Sequence, residues 1–215
     1  MKIDNILFLD IETTGTDHKK NGIIQIAMEY HENGEKIASF NKKCIPSTTF
    51  TDLGALKYNG VKYSQLDKLG VSDKELLKDF LDFLLNLPKN KNIYLGGHNV
   101  NFDVNFINEW LSQNNIEGLR SILPYRVVDT STLGMFLSDG GIFKVSGKFN
   151  FESMLSGLGL LSNSIVMAQK NIDGKDILHD LDERLHDAAY DVKMTAKAYY
   201  TMTELRNKLL KSNVG

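Results

Sequence analysis

The chain is short of cysteine, proline and long apolar stretches, and each shortage narrows what it can be. Cys44 is the sole cysteine among 215 residues, which excludes an intrachain disulfide and a cysteine-rich zinc site. With three prolines, 42% hydrophobic and 24% charged residues, the chain has the make-up of a globular protein, neither fibrous nor disordered. No apolar run nears the roughly 20 residues needed to cross a bilayer, so no membrane partner is expected. The opening MKIDNILFLD is interrupted by Asp4 and lacks a small-residue cleavage site, so it reads as a first strand. A reducing, cytoplasmic setting is the default expectation. A basic excess is missing as well. The net charge of −2 argues against strong, sequence-independent binding along long duplexes.

What is present is enough sequence for one domain with a substantial core, and no internal repeat or linker divides it. Ile6-Leu7-Phe8-Leu9 is a short continuous apolar run, the mark of a strand covered on both faces. Ile23 to Met28 and a more alternating stretch from Lys36 to Cys44 follow, the latter after the hairpin signal Asn33-Gly34. Ser72-Asp73-Lys74-Glu75 is a capping box, and Leu76, Leu77, Phe80, Leu81 and Leu84 continue it at helical spacing until Pro88. Ile93-Tyr94-Leu95 and Arg126-Val127-Val128 read as two more strands, each followed by a helix. Asp129 and Thr130 are suited to cap the second of these helices. A short helix is expected near Phe151 to Leu158, within a Gly-, Ser- and Asn-rich stretch (Ser138 to Asp182) of flexible loops. A long helix from about Ala188 to Leu209 closes the chain. Strands first, then alternating helices and strands, predict an α/β domain with a mixed sheet.

Acidic residues recur where these elements begin and end. Asp10-Ile11-Glu12 lies at the end of the first strand, and residues two apart on a strand share a face. Two carboxylates so close are unfavourable in a dry core unless a positive charge sits between them. Read alone, they fit a metal site or a solvated strand end. Asp103 lies between a strand and a helix, in His98-Asn99-Val100-Asn101-Phe102-Asp103, where an aspartate is most often a cap. The third segment is His186-Asp187-Ala188-Ala189-Tyr190-Asp191. With Asp187 as N-cap, His186 stands just before the helix and Asp191 in its first turn, so the two can face one site. A histidine there, with a pKa near neutrality, suits a general base. Thr13, Thr14 and Gly15 offer hydroxyls and close backbone approach next to the first pair.

Asp-Ile-Glu-Thr-Thr-Gly, His-Asn-x-x-Phe-Asp and His-Asp-Ala-x-x-Asp together resemble the three motifs of the DEDDh 3′–5′ exonucleases. This DnaQ-like group includes polymerase III epsilon proofreading subunits, oligoribonucleases and RNase T. The likeness spans about residues 6–200 of a single domain taken as 1–215. Pro46 and Ala55 to Val61 are similar to a loop and turn that the family carries before its first helix. The resemblance implies an RNase H-like fold, a five-stranded mixed sheet flanked by helices, and two divalent cations, Mg²⁺ or Mn²⁺. By matching positions, Asp10 would bridge both ions, Glu12 and Asp191 would complete the nucleophile-side ion, and Asp103 would hold the other through water. His186 would be the general base. The tyrosine subgroup places its base where Asp187 stands here. Thr13, Thr14, Gly15, His98, Asn99 and Phe102 would contact the terminal nucleotide or support the acids.

The implied substrate is the 3′ end of a single DNA strand, released as nucleoside 5′-monophosphates. An exoribonuclease or oligoribonuclease is the alternative, and a non-catalytic nucleic-acid or polymerase-associated module is a third reading. If the four carboxylates bind metal, setting them aside turns the balance from −2 to +2, which weakens the charge objection. Only 24 residues follow Asp191, so a free-standing enzyme, or one touching a DNA polymerase by surface contacts, is expected. Lys144, Lys148 and Lys170 are candidate contacts to a nucleic-acid backbone.

Overall fold

The computed structural model describes residues 3–46, 50–58, 68, 70–116, 123–161 and 187–212. Three strands open it: β1 (Asn5–Thr13), β2 (Ile23–Glu32) and β3 (Glu35–Lys43). Between β2 and β3 the chain reverses at Asn33 and Gly34, whose φ values of 55° and 93° give the left-handed two-residue turn that matches strand twist. β1 runs past its apolar stretch because its tail stays paired with β2, Asp10 opposite Ala27 and Glu12 opposite Gln25. The acidic pair, expected at the end of the strand, therefore lies within its paired part.

Next come α1 (Leu53–Tyr58), α2 (Asp73–Leu85), β4 (Tyr94–Gly97), α3 (Asn101–Gln113), β5 (Val127–Asp129), α4 (Thr130–Asp139), α5 (Phe151–Gly157) and α6 (Ala188–Ser212). α1 occupies a stretch expected to be loop and turn. The rest of that expectation, residues 59–61, lies outside the described residues, as do Lys170, His186 and the loops expected over 162–182. At the start of α2 the Ser72 side chain accepts the Glu75 amide at 3.3 Å. At the start of α5 Asn150 and Ser153 cap each other's backbones.

The five strands form one mixed sheet in the order β3-β2-β1-β4-β5, antiparallel on the β3–β2–β1 side and parallel from β1 to β5. Strand alternation sorts the two cores. Leu7, Leu9 and Ile11 point toward Leu76 and Phe80 of α2 and Ile107 and Trp110 of α3. Ile6 and Phe8 point the other way, onto Ala188, Val192 and Ala196 of α6. Each such fully buried side chain contributes about 1.5–3 kcal/mol by leaving water. Asp10 and Glu12 continue the Ile6–Phe8 row, so the same alternation that builds the core aims both carboxylates at the start of α6. A third cluster packs Leu137, Met154 and Leu155 against Met194, Ala198 and Met202, fixing α4 and α5 beside α6. Among the described residues no helix is long and apolar enough to cross a membrane.

Candidate active site

The start of α6 brings Asp191 to the two acids of β1. One ligand oxygen from each of Asp10, Glu12 and Asp191 lies within 4.8 Å of the others. Asp187 caps the helix: its Oδ1 accepts the Ala189 amide at 3.0 Å, and its carbonyl accepts from Asp191 N at 2.9 Å. This fixes Asp191 one turn on, facing the sheet, 8% exposed.

Asp103 reaches the same place from the opposite core. It does not cap its own helix; Val100 stands at the N-cap with no side-chain bond. Its Oδ1 instead accepts the Ile11 amide at 3.0 Å, 92 residues away, and the residue is 4% exposed. Asp103 falls outside the 4.8 Å group, yet its charge acts on both Asp10 and Glu12. Four carboxylates from β1, α3 and α6 thus converge on one end of the sheet. His186, one residue before Asp187, lies outside the described residues.

A cleft of about 480 Å³ opens over the acids. Of the residues named from sequence beside the acids, Thr13, Gly15, His98 and Phe102 line it. Gly15 is required there: a Cβ would sit 2.4 Å from the Asn21 side chain. Thr14 and Asn99 do not line it. Thr14 is fully buried, its hydroxyl accepting from Gly22 N (2.9 Å) and donating to the Phe50 carbonyl (3.2 Å), so its role is to tie the loop after β1. Asn99 is exposed and takes a left-handed turn (φ 59°), with its amide directed at Asp129. Asp129 holds this whole corner, accepting from Val100 N at 3.0 Å, Ser131 N at 2.8 Å and Thr132 N at 3.1 Å. Asn150, Phe151 and Glu152 form a wall of the cleft, and Asp52 and Ala55 another part of its rim. The Phe151 ring lies 4.7 Å from that of His98. Sequence reasoning missed these residues as site components. The local signal at Asn150 is a cap, which marks a helix start and nothing about a cleft.

The family model for exonucleases (RNase_T) matches residues 7–199, nearly the whole chain. The chain belongs to the exonuclease family. The DEDDh, DnaQ-like resemblance carried by the three motifs is borne out by that match. Relatives of this chain include a DNA polymerase III of PolC type from Thermotoga petrophila, 25% identical over 201 residues covering 94% of this chain and 12% of the relative. Another PolC-type polymerase, from Pediococcus pentosaceus, is 27% identical over 64% of this chain and 9% of its own. The chain spans about a tenth of the length of these curated relatives. Among solved structures, exonuclease I of Methylocaldum szegediense superposes with a TM-score of 0.72 at 18% identity, covering 96% of this chain and 42% of that one. E. coli exonuclease I in complex with a dT13 oligonucleotide gives 0.70 at 17%, covering 98% and 43%. The shared fold is the RNase H-like one expected.

The acids of this cluster repel one another. Burial raises Asp10 well above the usual carboxylate range, and Asp103, Asp191, Glu12 and Asp187 raise it further. Glu12 is pushed up to about 9 by burial and then by Asp191, Asp187 and Asp103, with Lys43 pulling the other way. Asp103 rises to about 8, again through burial, against the Ile11 amide that favours its charge. Burial lowers His98 to about 4, so its imidazole is neutral at ordinary pH. Crowded, hard oxygen donors with unfavourable mutual charge are the donor set that divalent cations such as Mg²⁺ or Mn²⁺ take, and that their charge relieves. The site fits a divalent metal, in keeping with the metal dependence the family implies.

Proposed function

We propose that the protein is a metal-dependent 3′–5′ exonuclease that hydrolyses the terminal phosphodiester of single-stranded DNA and releases nucleoside 5′-monophosphates. The observation that carries this reading is the convergence of Asp10, Glu12 and Asp191, from β1 and α6, within 4.8 Å. Divalent cations held there supply charge neutralisation at the phosphate and acidify water for the attack. Asp10, Glu12 and Asp191 would hold one ion and Asp10 with Asp103 a second, since four carboxylates meet the needs of two hard cations.

The remaining steps belong to the chain's own groups. His186, adjoining the cap of α6 in sequence, takes the proton of the attacking water. The water oxygen bonds to phosphorus as the 3′ oxygen of the penultimate nucleotide leaves. Thr13, Gly15, His98 and Phe102 seat the last nucleotide, and the neutral His98 ring adds no charge to that contact. DNA as substrate is supported by the fold shared with an exonuclease I bound to oligodeoxynucleotide. Contact with a DNA polymerase is a proposal resting on the PolC-type relatives alone.

The test is a 5′-labelled single strand incubated with the protein and Mn²⁺ or Mg²⁺, with and without EDTA, next to RNA of the same sequence. The expected result is a ladder shortening from the 3′ end, abolished by EDTA and faster on DNA. Shortening from the 5′ end, or cleavage in EDTA, would overturn the reading. Faster loss of the RNA would move the substrate to RNA.

A further inference from the structure

The cap that sets Asp191 facing the sheet is itself held by β2 and β3. Across the antiparallel part of the sheet, Glu12 of β1 stands opposite Gln25 of β2, and Gln25 opposite Lys43 of β3. Directly paired residues share a face, so these three side chains form one row beneath α6. On α6 and its cap, Asp187 and Asp191 are four residues apart and lie one above the other. Asp191 meets Glu12, and Asp187 meets the other two members of the row.

Gln25 is 2% exposed, and its amide is satisfied on both sides. Its Nε2 donates to Asn41 Oδ1 at 2.9 Å and to Asp187 Oδ1 at 3.3 Å, and its Oε1 accepts the Ala188 amide at 3.4 Å. Lys43 Nζ lies 3.1 Å from Asp187 Oδ2. A buried amide with each group matched is costly to disturb, because any partner removed leaves a desolvated donor or acceptor. The row thus reads the first turn of the helix at three points: the cap carboxylate twice and the Ala188 amide once.

We infer that Gln25, with Lys43, is a positioning residue that docks the first turn of α6 so that Asp191 arrives beside Glu12 in register for metal. The inference rests on the metal reading above, and deepens it by naming what prepares the site before an ion enters. Outer partners that orient metal ligands typically change affinity or activity 10–100-fold when removed.

The test uses the full chain. Mn²⁺ binding is measured by calorimetry for the wild type, Gln25→Met and Gln25→Glu, and for Gln25→Glu combined with Asp187→Asn. Amide hydrogen exchange at Ala188, Ala189 and Tyr190 is followed without metal. Gln25→Met should weaken Mn²⁺ binding about 10–100-fold and speed exchange in that turn. Gln25→Glu should do the same by setting two carboxylates together, and Asp187→Asn should restore much of the loss by giving the new carboxylate a donor. The rescue separates positioning from general damage, and the Glu variants carry the test if Gln25→Met fails to fold. Wild-type affinity and exchange in Gln25→Met, or no rescue in the combined variant, would overturn the inference. A wild type that binds no Mn²⁺ would instead overturn the metal reading, leaving the exchange data to decide the docking role.

Discussion

Asp10 is unfavourable for the fold, and under the proposed function it is held there for metal alone. Burial and four neighbouring carboxylates act against its charge, and no fold requires an acid in the row begun by Ile6 and Phe8. Asp10→Asn keeps the shape and removes that charge. It is expected to abolish turnover while raising the melting temperature of the metal-free protein; a gel assay and calorimetry on the same preparation check both. Loss of activity together with loss of stability would mean the residue is structural. The base role proposed for His186 is one of rate alone. His186→Ala should lower kcat by about 10²–10⁴, the usual size of a general-base effect, with Mn²⁺ binding unchanged. An unchanged rate, with chemistry limiting, would place the base elsewhere. Thr13 and Thr14 differ for the same local reason. Neighbours on an extended chain point oppositely, so one borders the cleft and the other is spent on Gly22 and Phe50.

Elements were legible in the sequence to the extent that local patterns determine them. The Ile6–Leu9 run, the Asn33-Gly34 turn and the Ser72 cap each have a physical signature a few residues long, and each marks the element found there. The acids of three motifs were legible too, because their residue types and spacing are themselves the signal. What was hidden depends on remote pairing. β1 extends through Asp10 and Glu12 because β2 pairs with them, not because they are apolar. Asp103 reads as a cap until Ile11, far away in sequence, is seen to claim it. Asn150, Phe151 and Glu152 become a cleft wall only when α5 is packed beside α6. Asp129 joins both levels, capping α4 as its sequence suggests and also holding the β4–α3 corner through Val100 N. Asp129→Ala should therefore cost at least the 0.5–2 kcal/mol or so of a lost cap, read as a lower urea midpoint. Since the same carboxylate supports the His98 loop, KM for the strand should rise as well. A lost cap with unchanged KM would restrict Asp129 to holding α4.

At the scale of the whole molecule, the crowded acids couple stability, pH and metal. Glu12 moves from an ordinary 4.5 to about 9 on folding, and Asp103 from 3.8 to about 8. A carboxyl whose pKa is raised by folding binds its proton more tightly in the native state. Its contribution is therefore fully present below the unfolded value and is lost as pH rises through the folded one. Without metal, stability from these two groups should decline from about pH 4 to about pH 9. Other ionisations move the total, so the difference between the wild type and Glu12→Gln isolates the effect: in EDTA the wild type should lose more stability than the variant across that window. Divalent cations need the carboxylates deprotonated, so they bind best where the apo-protein is weakest. Adding Mg²⁺ or Mn²⁺ should raise the melting temperature strongly near pH 8 and little near pH 5, by the amount mass action gives for a ligand bound only by the folded state. Calorimetry across pH, with and without metal, reads both trends. A metal-induced shift as large at pH 5 as at pH 8 would mean that the ions bind somewhere other than these acids.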